Sequence, residues 1–205
     1  MPVDLSAIPI ADHHCHSLLK RQPTDDLAFR NHLTETYFPE IARDHVQHSL
    51  VYHWAIRELA AFLGCEPLPD AVHAARRERG VEALAREVAE RGNFRSWLID
   101  TGYGGDSTFS LDELRGLVPC EIREIIRLEP LIERLIVEAG SFDGFLAAYR
   151  SALSDLRGSG YVGMKSVIAY RTGLQIEAVE REDAAAAFRS VHEGARREGR
   201  IRIES

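Results

Sequence analysis

The stretch Ile10-Ala11-Asp12-His13-His14-Cys15-His16 decides how the rest of the chain is read. An apolar, β-branched lead-in that runs into three histidines predicts a buried strand, Ala7 to His14, opening into a polar site. Side chains alternate faces along a strand, so Ile8, Ile10, Asp12, His14 and His16 are expected on one side, with His13 and Cys15 on the other. Ile8 and Ile10 are apolar, which turns their side towards the interior of the sheet. His14 and His16 then leave the strand's end together. Two imidazoles two residues apart can converge on one metal ion, and neutral imidazole suits zinc, iron and nickel alike. His14 and His16 are therefore the candidate metal ligands; His13 and Cys15 are left out.

Outward from this strand, residues 26 to about 92 carry a helical pattern. Glu58-Leu-Ala-Ala-Phe-Leu63 and Val81-Glu-Ala-Leu-Ala-Arg-Glu-Val88 repeat apolar residues at three and four positions, and Glu66-Pro-Leu-Pro-Asp70 breaks the run. Further strands are expected at Phe94 to Asp100, Glu121 to Leu128 and Tyr161 to about Lys165. Between them lie helices opened by Ser110 with Glu113 at capping-box spacing, by Pro130 and by Ser141, and a last helix spans roughly Glu182 to Arg197. Alternation of this kind argues for a parallel sheet with helices packed on it. An eight-unit barrel needs about 250 residues, and only four units are visible. The expectation is α/β: a partial (β/α)8 TIM-type barrel, its first four units, with a helical insertion at about 26–92. On this reading the chain, 1–205, is the N-terminal half of such a barrel. An open half would expose strand edges and apolar lumen, so the expected partners are a second copy in a homo-oligomer or a missing C-terminal half.

With 205 residues, 25 basic and 32 acidic side chains, the net charge is −7. That argues against a nucleic-acid partner, because phosphate binding needs a basic face. No apolar run approaches the roughly 20 residues of a membrane span, and the N-terminus lacks a secretory signal pattern. Cys15, Cys65 and Cys120 are far apart and form no C-x-x-C pair, so neither a disulfide framework nor a zinc finger is expected. A cytoplasmic protein with a small-molecule substrate fits best.

Other residues carry chemistry at the strand ends. Lys165 closes an apolar strand, where a lysine either reaches water or has a role. In the loop beyond it, Arg171 is suited to hold a substrate carboxylate bidentately and Tyr170 to add a hydroxyl; a surface ion pair and a packed ring are the alternatives. Asp100, Arg127 and Glu129 also end strands, with capping or structural pairing as equal readings. Thr101-Gly-Tyr-Gly-Gly-Asp106 is no P-loop, since no Gly-Lys-Ser/Thr follows it, and reads as a flexible loop at the site's rim. His45, His48 and Tyr52, with His53 beside them, fit either a helical lid or an exposed face. No G-x-S-x-G elbow occurs, so serine or cysteine nucleophiles have no support.

Pro9-Ile-Ala-Asp-His-His-Cys-His-Ser-Leu-Leu19 resembles the opening strand of the amidohydrolase superfamily. Gly163-Met-Lys-Ser-Val-Ile-Ala-Tyr-Arg-Thr-Gly-Leu174 and Ile122-Arg-Glu-Ile-Ile-Arg-Leu-Glu129 are similar to its amidohydrolase-related group, which includes the domain preceding glutamine-synthetase-like domains. The resemblance implies a metal-dependent hydrolase acting on C–N, amide-like bonds. It implies one or two divalent ions, with Zn2+ expected, and a catalytic place for Lys165 near them, as a carbamate bridge or as a free amine. The family's later-strand ligands, a histidine on the fifth strand and an aspartate on the eighth, have no counterpart. The chain is therefore expected to be a fragment, inactive alone. The alternatives are a non-catalytic metal-binding or association domain, or a metal-dependent decarboxylase or isomerase of the same fold.

Overall fold

The computed structural model describes Asp4, Leu5 and residues 7–203. In chain order the elements are β1 (Ile10–Cys15), α1 (Asp26–Arg30), α2 (Leu50–Leu63), α3 (Pro69–Arg79), α4 (Val81–Arg91), β2 (Phe94–Asp100), α5 (Leu111–Leu117), β3 (Glu121–Arg127), α6 (Leu128–Glu138), α7 (Phe142–Ser154), β4 (Tyr161–Lys165) and α8 (Arg181–Glu198). Two compact units result. One contains the described part of 1–17 with 94–105 and 120–203; the other contains 18–93 and 106–119.

The first unit is a parallel sheet in the order β1-β2-β3-β4. This corrects the expected partial (β/α)8 TIM-type barrel to an α/β fold whose four-stranded parallel sheet resembles part of a barrel. The sheet is open: β1 and β4 are its edges, and among the described residues no strand joins them. Alternating strands and helices specify parallel pairing, but they do not distinguish an open sheet from a closed one. The exposed strand faces fit the open form. Ile8 and Ile10 are 59% and 47% exposed, where the sequence pattern turned them inward.

β1 also starts later than its pattern suggests. The Ile8 N–H bonds to the Leu5 carbonyl in a turn, and Pro9 has no N–H to offer the ladder. Alternation along β1 is interrupted as well. Asp12 pairs with Trp97 and Cys15 with Ile99, so three steps on β1 answer two on β2. One extra residue flips the parity, as in a bulge. Asp12 Oδ1 accepts the His14 N–H at 3.2 Å, and the same carboxylate acts on the Cys15 thiol. β2 and β3 run in register, with Asp100 opposite Ile125; β3 and β4 shift once, between Glu124 and Ile125, and then pair Arg127 with Lys165. Asp100, Arg127 and Lys165 are the last residues of β2, β3 and β4, at one end of the sheet.

Helices α6, α7 and α8 pack through Ile136, Phe188 and Ala195, with Phe142 and Phe145 against them. His192 is held in this layer, stacked 4.9 Å from Phe188 with Nε2 2.7 Å from the Ala139 carbonyl. Ser141 caps α7, its side chain accepting the Gly144 N–H.

The second unit is helical. Tyr52, Ile56, Ala60 and Leu63 form the buried stripe of α2 and pack with Phe29, Ala42, Val46 and Val72. Each of the buried Ile, Leu, Val and Phe side chains among them contributes about 1.5–3 kcal/mol. Ser49 caps the start of α2, and Gly64 ends it at φ 72°, a left-handed conformation that favours glycine. Asp26 ties α1, α2 and α3 together: its Oδ1 accepts from the Tyr52 hydroxyl at 2.7 Å and lies 3.0 Å from His73 Nε2. Tyr52 is therefore a core residue of this unit, while His45, His48 and His53 are exposed. At α5 the predicted Ser110–Glu113 capping box is present. Among the described residues no helix is long and apolar enough to cross a membrane.

Candidate metal centre

Parallel pairing of β1 with β2 sets the end of the histidine strand beside Asp100. The donor atoms of His14, His16 and Asp100 lie within 4.8 Å of one another. His14 Nε2 is 3.8 Å and His16 Nδ1 3.9 Å from Asp100 Oδ2, and the two imidazoles meet edge to face. Tyr103, from the glycine-containing loop after β2, sets its ring 5.0 Å from that of His16.

Asp100 is fully buried, yet it is fully bonded. Its Oδ1 accepts the Gly102 N–H at 2.9 Å. Its Oδ2 accepts Arg127 Nη2 at 2.5 Å and Nε at 3.2 Å, with Lys165 Nζ 3.0 Å away. Burial alone would raise this carboxyl. The bonds from Arg127, the Gly102 amide and Lys165 outweigh it and hold the group down at about 2. The Lys165 amino group also touches His14 Nε2. Burial, Lys165 and His16 together push the His14 imidazole below its ordinary value, against the pull of Asp100 and Asp12.

The donor set fits a divalent cation: two imidazoles and a carboxylate that stays ionised. His16 Nδ1 lies 3.1 Å from the Asp100 main-chain carbonyl. A carbonyl only accepts, so this nitrogen carries the hydrogen, which makes Nε2 the nitrogen that would serve as a ligand. Lys165 occupies the approach to both His14 Nε2 and Asp100 Oδ2, so a cation there competes with its ammonium.

Of the residues singled out from sequence, His14, His16 and Lys165 come together. Arg171 does not join them: its Nη1 is bonded to Glu133 Oε1 and to the Ile203 carbonyl, each at 2.7 Å. Tyr170 is 79% exposed. Glu129 is buried and binds the backbone beyond β4, accepting the Ser166 hydroxyl and the Val167 N–H. Burial, followed by Asp12, pushes the Cys15 thiol up to about 12. Asp100 carries the weight that sequence reasoning withheld from it. The available signal was its position as the last residue of β2, next to the H-x-H strand.

No family model and no curated protein matches the chain. Among solved structures, it is similar to a presumed metal-dependent hydrolase from Lactobacillus casei ATCC 334, with a TM-score of 0.80 and 28% identity over 98% of this chain. The match covers 52% of that protein, so the chain spans about half the length of the structure it resembles.

Proposed function

We propose that this chain carries the cation-holding part of a metal-dependent hydrolase of the amidohydrolase-related type, acting on C–N, amide-like bonds of a small molecule. The observation that carries the reading is the convergence of His14, His16 and Asp100 at one end of the sheet. The likeness to a presumed metal-dependent hydrolase supports it. His14, His16 and Asp100 would hold the ion, Zn2+ in this reading, which supplies Lewis-acid activation of water and of the scissile carbonyl. Within the chain, His16 Nδ1 anchors its ring to the Asp100 carbonyl and keeps Nε2 free. Arg127 keeps Asp100 ionised. In C–N hydrolysis a bond forms from water's oxygen to the carbonyl carbon, the C–N bond breaks, and one of water's protons ends on the leaving nitrogen. Lys165 Nζ, at the mouth of the cluster, is the group assigned to give its ammonium proton to that nitrogen and to regain one from the water. Arg171 and Tyr170 remain the proposed contacts for a substrate carboxylate, on condition that Arg171 releases Glu133. A cytoplasmic setting belongs to the same proposal.

Metal-free protein titrated with Zn2+ in a calorimeter is expected to take up the ion stoichiometrically, and His14→Ala or His16→Ala to lose it. A wild-type protein that takes up no divalent cation overturns the reading. Amide substrates then test the reaction class. Bound Zn2+ without turnover, together with a stable dimer, favours the second reading, a metal-binding association domain, which the apolar side chains exposed on edge strand β4 (Val162, Met164) support.

A further inference from the structure

β3 lies between the strands that carry Asp100 and Lys165. Its last residue, Arg127, is the principal partner of the Asp100 carboxylate. The guanidinium reaches Asp100 beside the loop after β2. A Cβ at Gly102 would stand 2.7 Å from Arg127 Nε and 2.9 Å from its Cδ and Cζ, well inside van der Waals contact. Gly102 and Arg127 both line an open pocket, so the arginine has space to move aside, but moving aside takes it off Asp100 Oδ2. Gly102 has a second tie to the same group, because its N–H is the donor to Asp100 Oδ1. One glycine therefore both bonds the carboxylate and leaves room for the arginine that bonds it.

We infer that Arg127 is a positioning residue of the cation site and that Gly102 is glycine because Arg127 requires the space. Together they hold Asp100 Oδ2 towards His14 and His16 before any cation arrives. A buried carboxylate with free rotation would swing to whichever donor was nearest. Fixed at Oδ1 by the Gly102 amide and at Oδ2 by the guanidinium, it has one orientation. Partners that orient a ligand in this way typically change metal affinity by about 10–100-fold when removed. The inference rests on the cation reading above for its affinity arm, and on the geometry alone for its second arm.

The test uses the whole chain as wild type, Gly102→Ala, Arg127→Met and the double variant. Co2+ affinity is read from its visible absorption. Exchange of the residue-102 amide hydrogen is read by NMR in chelator-treated protein. Each single variant is expected to weaken Co2+ about 10–100-fold and to speed amide exchange at least about tenfold, since the Oδ1 bond loosens. The double variant is expected to be no weaker than Arg127→Met, because a methionine there is not tied to Asp100 and can turn away from the added methyl. Fully additive losses, wild-type affinity in the singles, or unchanged exchange overturn the inference. If Arg127→Met does not fold, Gly102→Ala alone must show both changes. If the wild type takes up no Co2+, the cation reading fails, and the exchange experiment still decides the positioning role.

Discussion

Replacing Asp100 by asparagine keeps the shape of the side chain and removes the charge on which Arg127, Lys165 and the Gly102 amide converge. The carboxyl is held at about 2 against an ordinary 3.8. At about 1.4 kcal/mol per pH unit, that depression is worth about 2 kcal/mol of folding stability. Because the folded value is the lower one, the contribution is complete above the unfolded value and disappears as pH falls through the folded one. Asp100→Asn also leaves a buried guanidinium without its anion, so the total cost near neutrality is expected at about 3–5 kcal/mol. Urea unfolding of both proteins, in chelator, from about pH 7 down to about pH 2 isolates the titrating part as the difference between them. That difference is expected to be flat above about pH 5 and to shrink by about 2 kcal/mol below it. A difference that stays constant across the whole range would refute the picture of Asp100 as an ionised carboxylate held by its donors.

The contact of Lys165 Nζ with His14 Nε2 and Asp100 Oδ2 makes its ammonium a competitor for any cation there. Lys165→Met is therefore expected to tighten Co2+ binding about tenfold or more at neutral pH, an effect of about 1.4 kcal/mol from one removed charge; weaker binding would make Lys165 a ligand instead. With its thiol pushed up to about 12, Cys15 is expected to hold roughly one thiolate in ten thousand at pH 8 and to resist alkylation. Mass-spectrometric mapping that finds Cys15 modified at the rate of a free thiol would contradict its burial against Asp12.

Much of the fold was legible because it rests on local signals. β2 and β4 have the bounds that their apolar runs suggest, α5 and α7 start at the serines that cap them, and α8 follows its run of strong helix formers. Parallel pairing followed from the order of elements. The barrel type was not legible, because four alternating strands and helices read the same in part of a TIM-type barrel and in another parallel sheet. Nor was the β1 bulge. Period-two reasoning assumes that every step on one strand is answered on its neighbour, and that neighbour is more than eighty residues away; the extra residue between Asp12 and Cys15 shows only in the pairing with Trp97 and Ile99.

The site divides along the same line. His14 and His16 stand out because two ligand types fall close together at a strand end. Asp100, Arg127 and Gly102 are three ordinary residues until β2 and β3 are laid side by side. Each had a bland local reading: a strand-end acid, a strand-end base and a loop glycine. What makes them a set is one carboxylate accepting from all that surrounds it, Arg127 from the next strand, Gly102 from its own loop and Lys165 one strand further on. Burial without those donors would have neutralised Asp100 and left the two histidines with no anion beside them. The motif on β1 offers two imidazoles, but the negative charge beside them and its partners come from β2, β3 and β4. A substitution at Arg127 or Gly102 therefore reaches the histidines without touching them.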